Sequence, residues 1–285
     1  TWYYLHASGA TMVIAEHRLS YLRGIVDRVV LLDAGGIVRE MPAERLWSMS
    51  EQERTDLGLR SLHPVTPVRP AVVLVTCCTA LFISSMNAAL INVALPVIRA
   101  GLGASTTQLQ WVVDAYTLMI ASLLLATGSM ADRFGRKRVF MTGLVLFAAA
   151  SALCALAPTT VWLIAGRGLQ AVGGAMLTPV ALSIISATYT DAAARARAIG
   201  VWGAVSGVSL GLGPIAGGLL TDAFGWEASF WLNVPVCVAA IVATALFVPE
   251  SRAPRPRRLD PAGQLLMMVF LAGVVGALIE GPEIG

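Results

Sequence analysis

Two ionisable side chains stand inside otherwise apolar runs of this sequence and are the first candidates for chemistry. Asp114 is the only charge within residues 106–131, and Arg167 is the only charge within residues 161–189. A charge at membrane depth is costly unless it faces a cavity or a partner, so each is a functional hypothesis. By helix rise, Asp114 lies about 14 Å and Arg167 about 10 Å from the outer start of its helix, and Asn87 in an earlier run lies about 16 Å deep. The similar depths predict that the three groups meet, with Asp114 and Arg167 as a coupled, proton-exchanging pair, unless a later helix start leaves Asp114 in the headgroup zone.

Membrane-spanning helices must position these groups, and the composition supplies them. Hydrophobic residues make up 56% of the 285 residues and charged residues only 13%, against about 25% charged in an ordinary soluble domain. Seven apolar runs are long enough to cross about 30 Å of hydrocarbon as helices. They comprise residues 71–98, 106–131, 139–157, 161–189, 198–221, 228–249 and 261–279. The net charge of +3 forms no continuous basic stripe, so no nucleic-acid partner is expected.

Basic residues in the connections between these runs alternate from side to side. Ten follow the second, fourth and sixth runs: Arg133, Arg136, Lys137, Arg138, Arg195, Arg197, Arg252, Arg255, Arg257 and Arg258. Arg99 alone lies in the other connections. This asymmetry places the N-terminus and the basic connections in the cytoplasm and predicts a multi-pass protein of the plasma or inner membrane. A soluble seven-helix bundle would not need the alternation.

The connection after the second run combines glycines and charges at a specific spacing. It contains Gly128, Asp132, Arg133, Gly135 and Arg136. Gly128 permits close helix approach, Asp132 ends the helix at the surface, and Gly135 allows a tight turn. A basic stop after any membrane helix would explain the cations but not the spacing of the glycines and Asp132. The motif resembles the gating loop between helices two and three of the major facilitator superfamily.

Further segments resemble the fourteen-helix drug:proton antiporter family within that superfamily. They read NVALP at 92–96, WVVDAY at 111–116, RGLQAVGG at 167–174 and NVP at 233–235. The resemblance runs from about residue 70 to the end of the sequence. It implies an all-α membrane protein, with a six-helix N-domain over residues 71–249 built of two three-helix inverted repeats. A basic cytoplasmic loop and a truncated seventh helix follow in residues 250–285. Asp114, Arg167, Asn87 and Gln170 are the expected transport and coupling residues.

Small residues recur along the fifth run in a pattern that resembles the antiporter motif of the same family. The motif residues are Gly207, Gly211, Gly213, Pro214, Gly217 and Gly218. Small residues at this period also let any two membrane helices pack closely. The proline adds a bend, because it removes a main-chain hydrogen bond. We therefore expect this run to form a shaped contact that moves during transport.

One position departs from the family pattern. The resemblance implies an aspartate in the first helix where this sequence has Asn87. Because an amide does not ionise, proton coupling must depend on Asp114 or on a group beyond Gly285.

Residues 1–62 differ from the rest and resemble the C-terminal end of an ABC transporter ATPase. Two strands are expected around the glycine turn at 35–36, and His17 would correspond to the histidine that contacts the nucleotide. The phosphate-binding loop of such an ATPase needs a lysine, and the only lysine is Lys137, which Arg138 follows. We therefore expect no nucleotide site, no cofactor and no enzymatic activity. Residues 63–70 contain Pro64, Pro67 and Pro70 and are predicted to be a linker.

The sequence thus predicts a fragment of a proton-coupled multidrug exporter, inactive alone. Its expected partners are hydrophobic or cationic drugs, protons, membrane lipids and the missing C-terminal half, with substrate bound between the two halves. An ATP-driven ABC transporter and a non-functional fusion fragment are the alternatives. The four cysteines lie in apolar runs without His or acidic neighbours at ligand spacing, so no metal site is expected: Cys77, Cys78, Cys154 and Cys237.

Overall fold

The chain divides into two units, Thr1–Pro67 and Val68–Gly285. The computed structural model describes residues 26–33, 36–50, 53 and 69–251, followed by 263, 266, 267, 269, 270, 273–277 and 279. The boundary at Pro67 falls within the residues expected to form a linker.

The described part of the first unit is a β-hairpin followed by a short helix. Strand β1 (Arg28–Asp33) pairs antiparallel with β2 (Gly36–Pro42), with an irregularity between Leu31 and Leu32. Helix α1 (Ala43–Ser48) follows directly. Three buried side chains form its small core: Met41, Leu46 and Met49. The two predicted strands are confirmed, whereas His17 lies outside the described residues.

Helices form the second unit over residues 70–247. They are α2 (Pro70–Leu102), α3 (Thr106–Phe134), α4 (Arg136–Ala155), α5 (Thr160–Thr188), α6 (Ala192–Phe224), α7 (Ala228–Trp231) and α8 (Asn233–Phe247). All of them are long except α7, which has four residues. Polar side chains cap three N-termini, as Ser105, Thr159 and Asp191 accept hydrogen bonds from main-chain N–H groups. Gly103 and Gly135 have positive φ angles of 63° and 111° and stand where α2 and α3 end.

These helices occupy the first six predicted membrane runs. Among the described residues, five helical spans are long and apolar enough to cross a membrane, or six if the two parts of α3, Thr106–Leu124 and Ala126–Phe134, count as one span bent by 52°. The sixth predicted run is divided into α7 and α8 at Leu232. The predicted seventh run, residues 261–279, lies largely outside the described residues.

Four helix pairs carry most of the packing: α4 with α5, α2 with α6, α3 with α5, and α4 with α8. Helices α4 and α5 approach backbone to backbone, because a Cβ on Gly173 would lie 2.6 Å from the main-chain nitrogen of Phe147. Phe147 is fully buried at this contact. By contrast, only 17% of the most apolar stretch of α6 is buried.

Candidate functional site

Five buried polar side chains from four helices form one hydrogen-bonded cluster, called the polar cluster below. Its members are Asn87 of α2, Ser151 of α4, Arg167 and Gln170 of α5, and Asn233 of α8. Each is at most 2% exposed. Burial of so many polar groups is tolerated only when they satisfy one another. The cluster therefore fixes four helices at one point of the bundle.

Gln170 lies at the centre of the polar cluster. Its Oε1 accepts from Arg167 Nη1 at 2.6 Å and from Asn87 Nδ2 at 3.4 Å, and its Nε2 donates to Ser151 Oγ at 2.7 Å. Asn233 Nδ2 donates to Asn87 Oδ1 at 3.0 Å and to Ser151 Oγ at 3.2 Å. Within the described part of the chain, Asn233 Oδ1 is buried without a hydrogen-bond partner. The cluster thus retains one unused acceptor.

Arg167 is held by neutral groups. Its Nε donates to the main-chain oxygen of Val112 at 3.1 Å, Nη1 donates to Gln170, and the guanidinium carbon lies 4.1 Å from the centroid of the Tyr116 ring. Tyr116 OH is 3.1 Å from Ser84 Oγ, and the two hydroxyls share a hydrogen bond. Helix α3 therefore presents a carbonyl and an aromatic ring, one turn apart, to the same guanidinium.

The expected ion pair between Asp114 and Arg167 is absent from this structure. Val112 and Tyr116 are four residues apart and face α5, whereas Asp114, midway between them, projects from the opposite side of α3. Asp114 is half-buried, and within residues 69–251 it forms neither an ion pair nor a hydrogen bond. The depth of a residue along a helix axis does not specify the rotation of α3 about that axis. The structure therefore brings Asn87, Arg167 and Gln170 together but leaves Asp114 apart.

The loop between α3 and α4 is organised by its charges. Arg136 Nη2 and Asp132 Oδ1 are 3.1 Å apart, and Arg136 Nη1 also donates to the main-chain oxygen of Ser183 in α5 at 3.3 Å. Arg133 lies over the Phe134 ring at 5.8 Å. The motif thus ties the C-terminal end of α3 to that of α5.

Glu250, which follows α8, also holds this loop. Its Oε1 accepts from the main-chain nitrogen of Lys137 at 3.1 Å, and its Oε2 is 3.7 Å from Arg138 Nε. A Cβ at Gly135 would lie 2.6 Å from Glu250 Oε1, and the φ of 111° there also favours glycine. Gly128 is less constrained, because its Cβ would meet only Pro179 at 4.0 Å.

The antiporter motif of α6 divides between two faces. Side chains added at Gly213 or Gly217 would meet Ala89 or Leu90 of α2, so these two glycines serve packing inside the domain. Among the described residues, no atom of another helix lies within 4 Å of a Cβ built on the other three motif glycines, Gly207, Gly211 and Gly218. Pro214 is exposed. The second face therefore has no partner among the described residues.

Sequence reasoning did not assign a site role to four residues. Tyr116 contacts Arg167, Ser151 accepts from Gln170, and Asn233 donates to Ser151. Glu250 accepts from a main-chain nitrogen of the loop between α3 and α4. A polar residue within an apolar run is a sequence signal for the first three. Glu250 offered no such signal, because it lies in a polar segment after a helix.

Residues 77–280 match the family model described as Major Facilitator Superfamily. Multidrug resistance protein Stp of Mycobacterium tuberculosis is 39% identical over 205 residues, which are 72% of this chain and 38% of that protein. Methylenomycin A resistance protein of Streptomyces coelicolor is 41% identical over 207 residues, which are 73% of this chain and 43% of that protein. This chain therefore spans less than half the length of these curated relatives.

A solved structure shares the fold at low sequence identity. The crystal structure of the peptide transporter POT in complex with sulfate matches with a TM-score of 0.58 and 18% identity, over 74% of this chain and 46% of that one.

Proposed function

Because the chain belongs to the Major Facilitator Superfamily, we propose that it is the N-terminal half of a multidrug exporter that exchanges drug for proton. The observation that supports this most strongly is the 39% identity over 205 residues to a multidrug resistance protein. The proposed orientation has the N-terminus and the basic connections in the cytoplasm, in the plasma or inner membrane.

The helix packing supports two inverted repeats of three helices. Here the six membrane runs are numbered one to six, so that α2 is run one, α3 is run two, α5 is run four and α6 is run five. The contact between runs one and five (α2 with α6) is matched by the contact between runs four and two (α5 with α3). A pseudo-two-fold axis that relates helices one to three with four to six predicts this correspondence.

We assign the open face of α6 to the missing C-terminal half. This face carries the three unpartnered glycines of the antiporter motif and Pro214. The relatives are more than twice as long as the segment they share with this chain, so a second half of similar size is available to cover it. Close helix approach needs small residues on the contacting face. Drug would then bind between the halves, the loop around Asp132 would gate the movement, and membrane lipids would cover the outer surface.

Asp114 is the proposed coupling carboxylate. It is half-buried and unpaired within residues 69–251, and Asn87 in the polar cluster does not ionise. An acid without a fixed partner can take up a proton or face a cationic drug, and the two would then compete. Arg167 and Gln170 hold the helices on which this exchange depends.

The test is efflux of a hydrophobic cationic dye, such as ethidium, from vesicles that carry the full-length transporter, under an imposed pH gradient. Asp114→Asn should abolish efflux. The matched control Asp222→Asn changes an exposed aspartate near the outer end of α6 and should retain it. Absence of gradient-driven efflux from the wild-type transporter, over a panel of cationic and hydrophobic drugs, would contradict the proposal.

We further propose that residues 1–62 are the C-terminal end of an ABC ATPase and have no catalytic role here. The hairpin of β1 and β2 and the short helix after it support the structural part. We expect no ATP hydrolysis by the purified chain. Hydrolysis that is lost on His17→Ala would favour the alternative, an ATP-driven transporter.

A further inference from the structure

Arg167 carries a charge that no carboxylate balances within residues 69–251. A guanidinium remains protonated in proteins, and this side chain is only 1% exposed. Its hydrogen bonds go to the main-chain oxygen of Val112 and to the amide oxygen of Gln170, which are both neutral. A buried cation in such a setting needs a further electrostatic partner.

The ring of Tyr116 is that partner. The distance of 4.1 Å from the guanidinium carbon to the ring centroid is well within the roughly 6 Å over which the negative face of an aromatic ring attracts a cation. The ring is 4% exposed, so water screens the attraction little.

The surroundings of Tyr116 fit its ring to this place. Its hydroxyl shares a hydrogen bond with Ser84 of α2. Gly174 of α5 leaves room for the phenol, because a Cβ there would lie 3.1 Å from Tyr116 OH. Since Val112 is one turn earlier in α3, the carbonyl and the ring approach Arg167 together.

We infer that Tyr116 is a positioning residue. Its aromatic face takes the place of a carboxylate and keeps the Arg167 guanidinium hydrogen-bonded to the Gln170 amide oxygen. The inference rests on the proposed function only for the role of Arg167 in transport. Loss of the ring should release the guanidinium from its buried position. A carboxylate at position 87 should hold it again, because Asn87 and Arg167 both donate to the Gln170 amide oxygen.

The experiment measures the modification of Arg167 by phenylglyoxal, followed by mass spectrometry, in the purified chain. Exposed Arg99 serves as the internal reference. Tyr116→Phe keeps the ring and should react within twofold of the wild type. Tyr116→Leu should react about tenfold faster or more, as loss of a buried cation–π contact implies. Tyr189→Leu, at the end of α5, is the matched control and should leave the rate unchanged.

The double variant Asn87→Asp with Tyr116→Leu should return the rate to within about threefold of the wild type. If Tyr116→Leu alone does not fold, recovery of a folded, protected double variant supports the inference, and failure of both overturns it. A wild-type rate in Tyr116→Leu, or an equally fast rate in Tyr116→Phe, also overturns it. If the full-length transporter shows no efflux, the proposed function fails. The positioning role still stands if Arg167 is protected from phenylglyoxal in the variants that keep the ring at position 116 and reacts in Tyr116→Leu.

Discussion

Replacement of Gln170 by leucine would remove the centre of the polar cluster and leave its neighbours with unequal losses. Arg167 Nη1 loses an acceptor at 2.6 Å. Ser151 loses one donor but still donates to the main-chain oxygen of Phe147 at 2.7 Å. Asn87 keeps its bond from Asn233. We therefore expect the charge on Arg167 to dominate the effect.

The magnitude follows from the type of bond. Arg167 and Gln170 lie three residues apart on α5, so this bond joins two side chains of one helix. Hydrogen bonds to charged groups contribute about 1.5–3 kcal/mol in proteins, and we expect a value at the lower end because residues at this spacing are neighbours on the isolated helix as well. We expect a coupling free energy of about 1.5 kcal/mol between Gln170 and Arg167.

The assay is a double-mutant cycle of Gln170→Leu and Arg167→Met, with the free energy of unfolding measured by SDS titration of the purified chain in mixed micelles. Gln170→Leu should be clearly destabilising alone and much less so when Arg167 is already Met. Gln110→Leu, at an exposed position of α3, is the control for the chemical change itself. A coupling below about 0.5 kcal/mol, or a loss no larger than in Gln110→Leu, would refute the reasoning.

Three further predictions concern packing, coupling and topology. Gly173→Ala should lower the free energy of unfolding by about 1–3 kcal/mol, because the added Cβ would meet the backbone of α4. Gly168→Ala is the control on the same helix, since its Cβ has open space and should not destabilise the chain. Thermal unfolding in detergent compares the two variants. Asp114→Asn and Arg167→Ala should have additive effects on unfolding, since no ion pair joins them, and a double variant markedly more stable than the sum of the single losses would show a hidden contact. Deletion of residues 1–62 should leave the orientation unchanged, because the cations between the spans determine it; cysteine accessibility from each side would reveal an inversion.

Much of the fold could be predicted because its determinants are local. A helix satisfies its own main-chain hydrogen bonds, so an uncharged run of the right length is enough to predict a span. Residues 71–98 illustrate this, since they lie within α2. The division of residues 228–249 into α7 and α8 was not predicted, because the turn at Leu232 interrupts an otherwise apolar run.

The candidate site was only partly predictable. Arg167 and Asn87 could be selected because a charge or an amide in an apolar run is costly without a partner. The partner of Arg167 was not predictable from depth, since depth specifies only the position along a helix axis.

The sequence by itself determined the number of apolar runs, the charge asymmetry of their connections and the glycine spacing, since these are properties of composition and order. Only the tertiary structure decided which side chains meet. The rotation of α3 directs Tyr116 toward Arg167 and Asp114 away from it. The approach of α4 and α8 adds Ser151 and Asn233 to the polar cluster. Such choices depend on how whole helices pack, because each helix can turn about its axis with its own hydrogen bonds intact until its neighbours hold it in place.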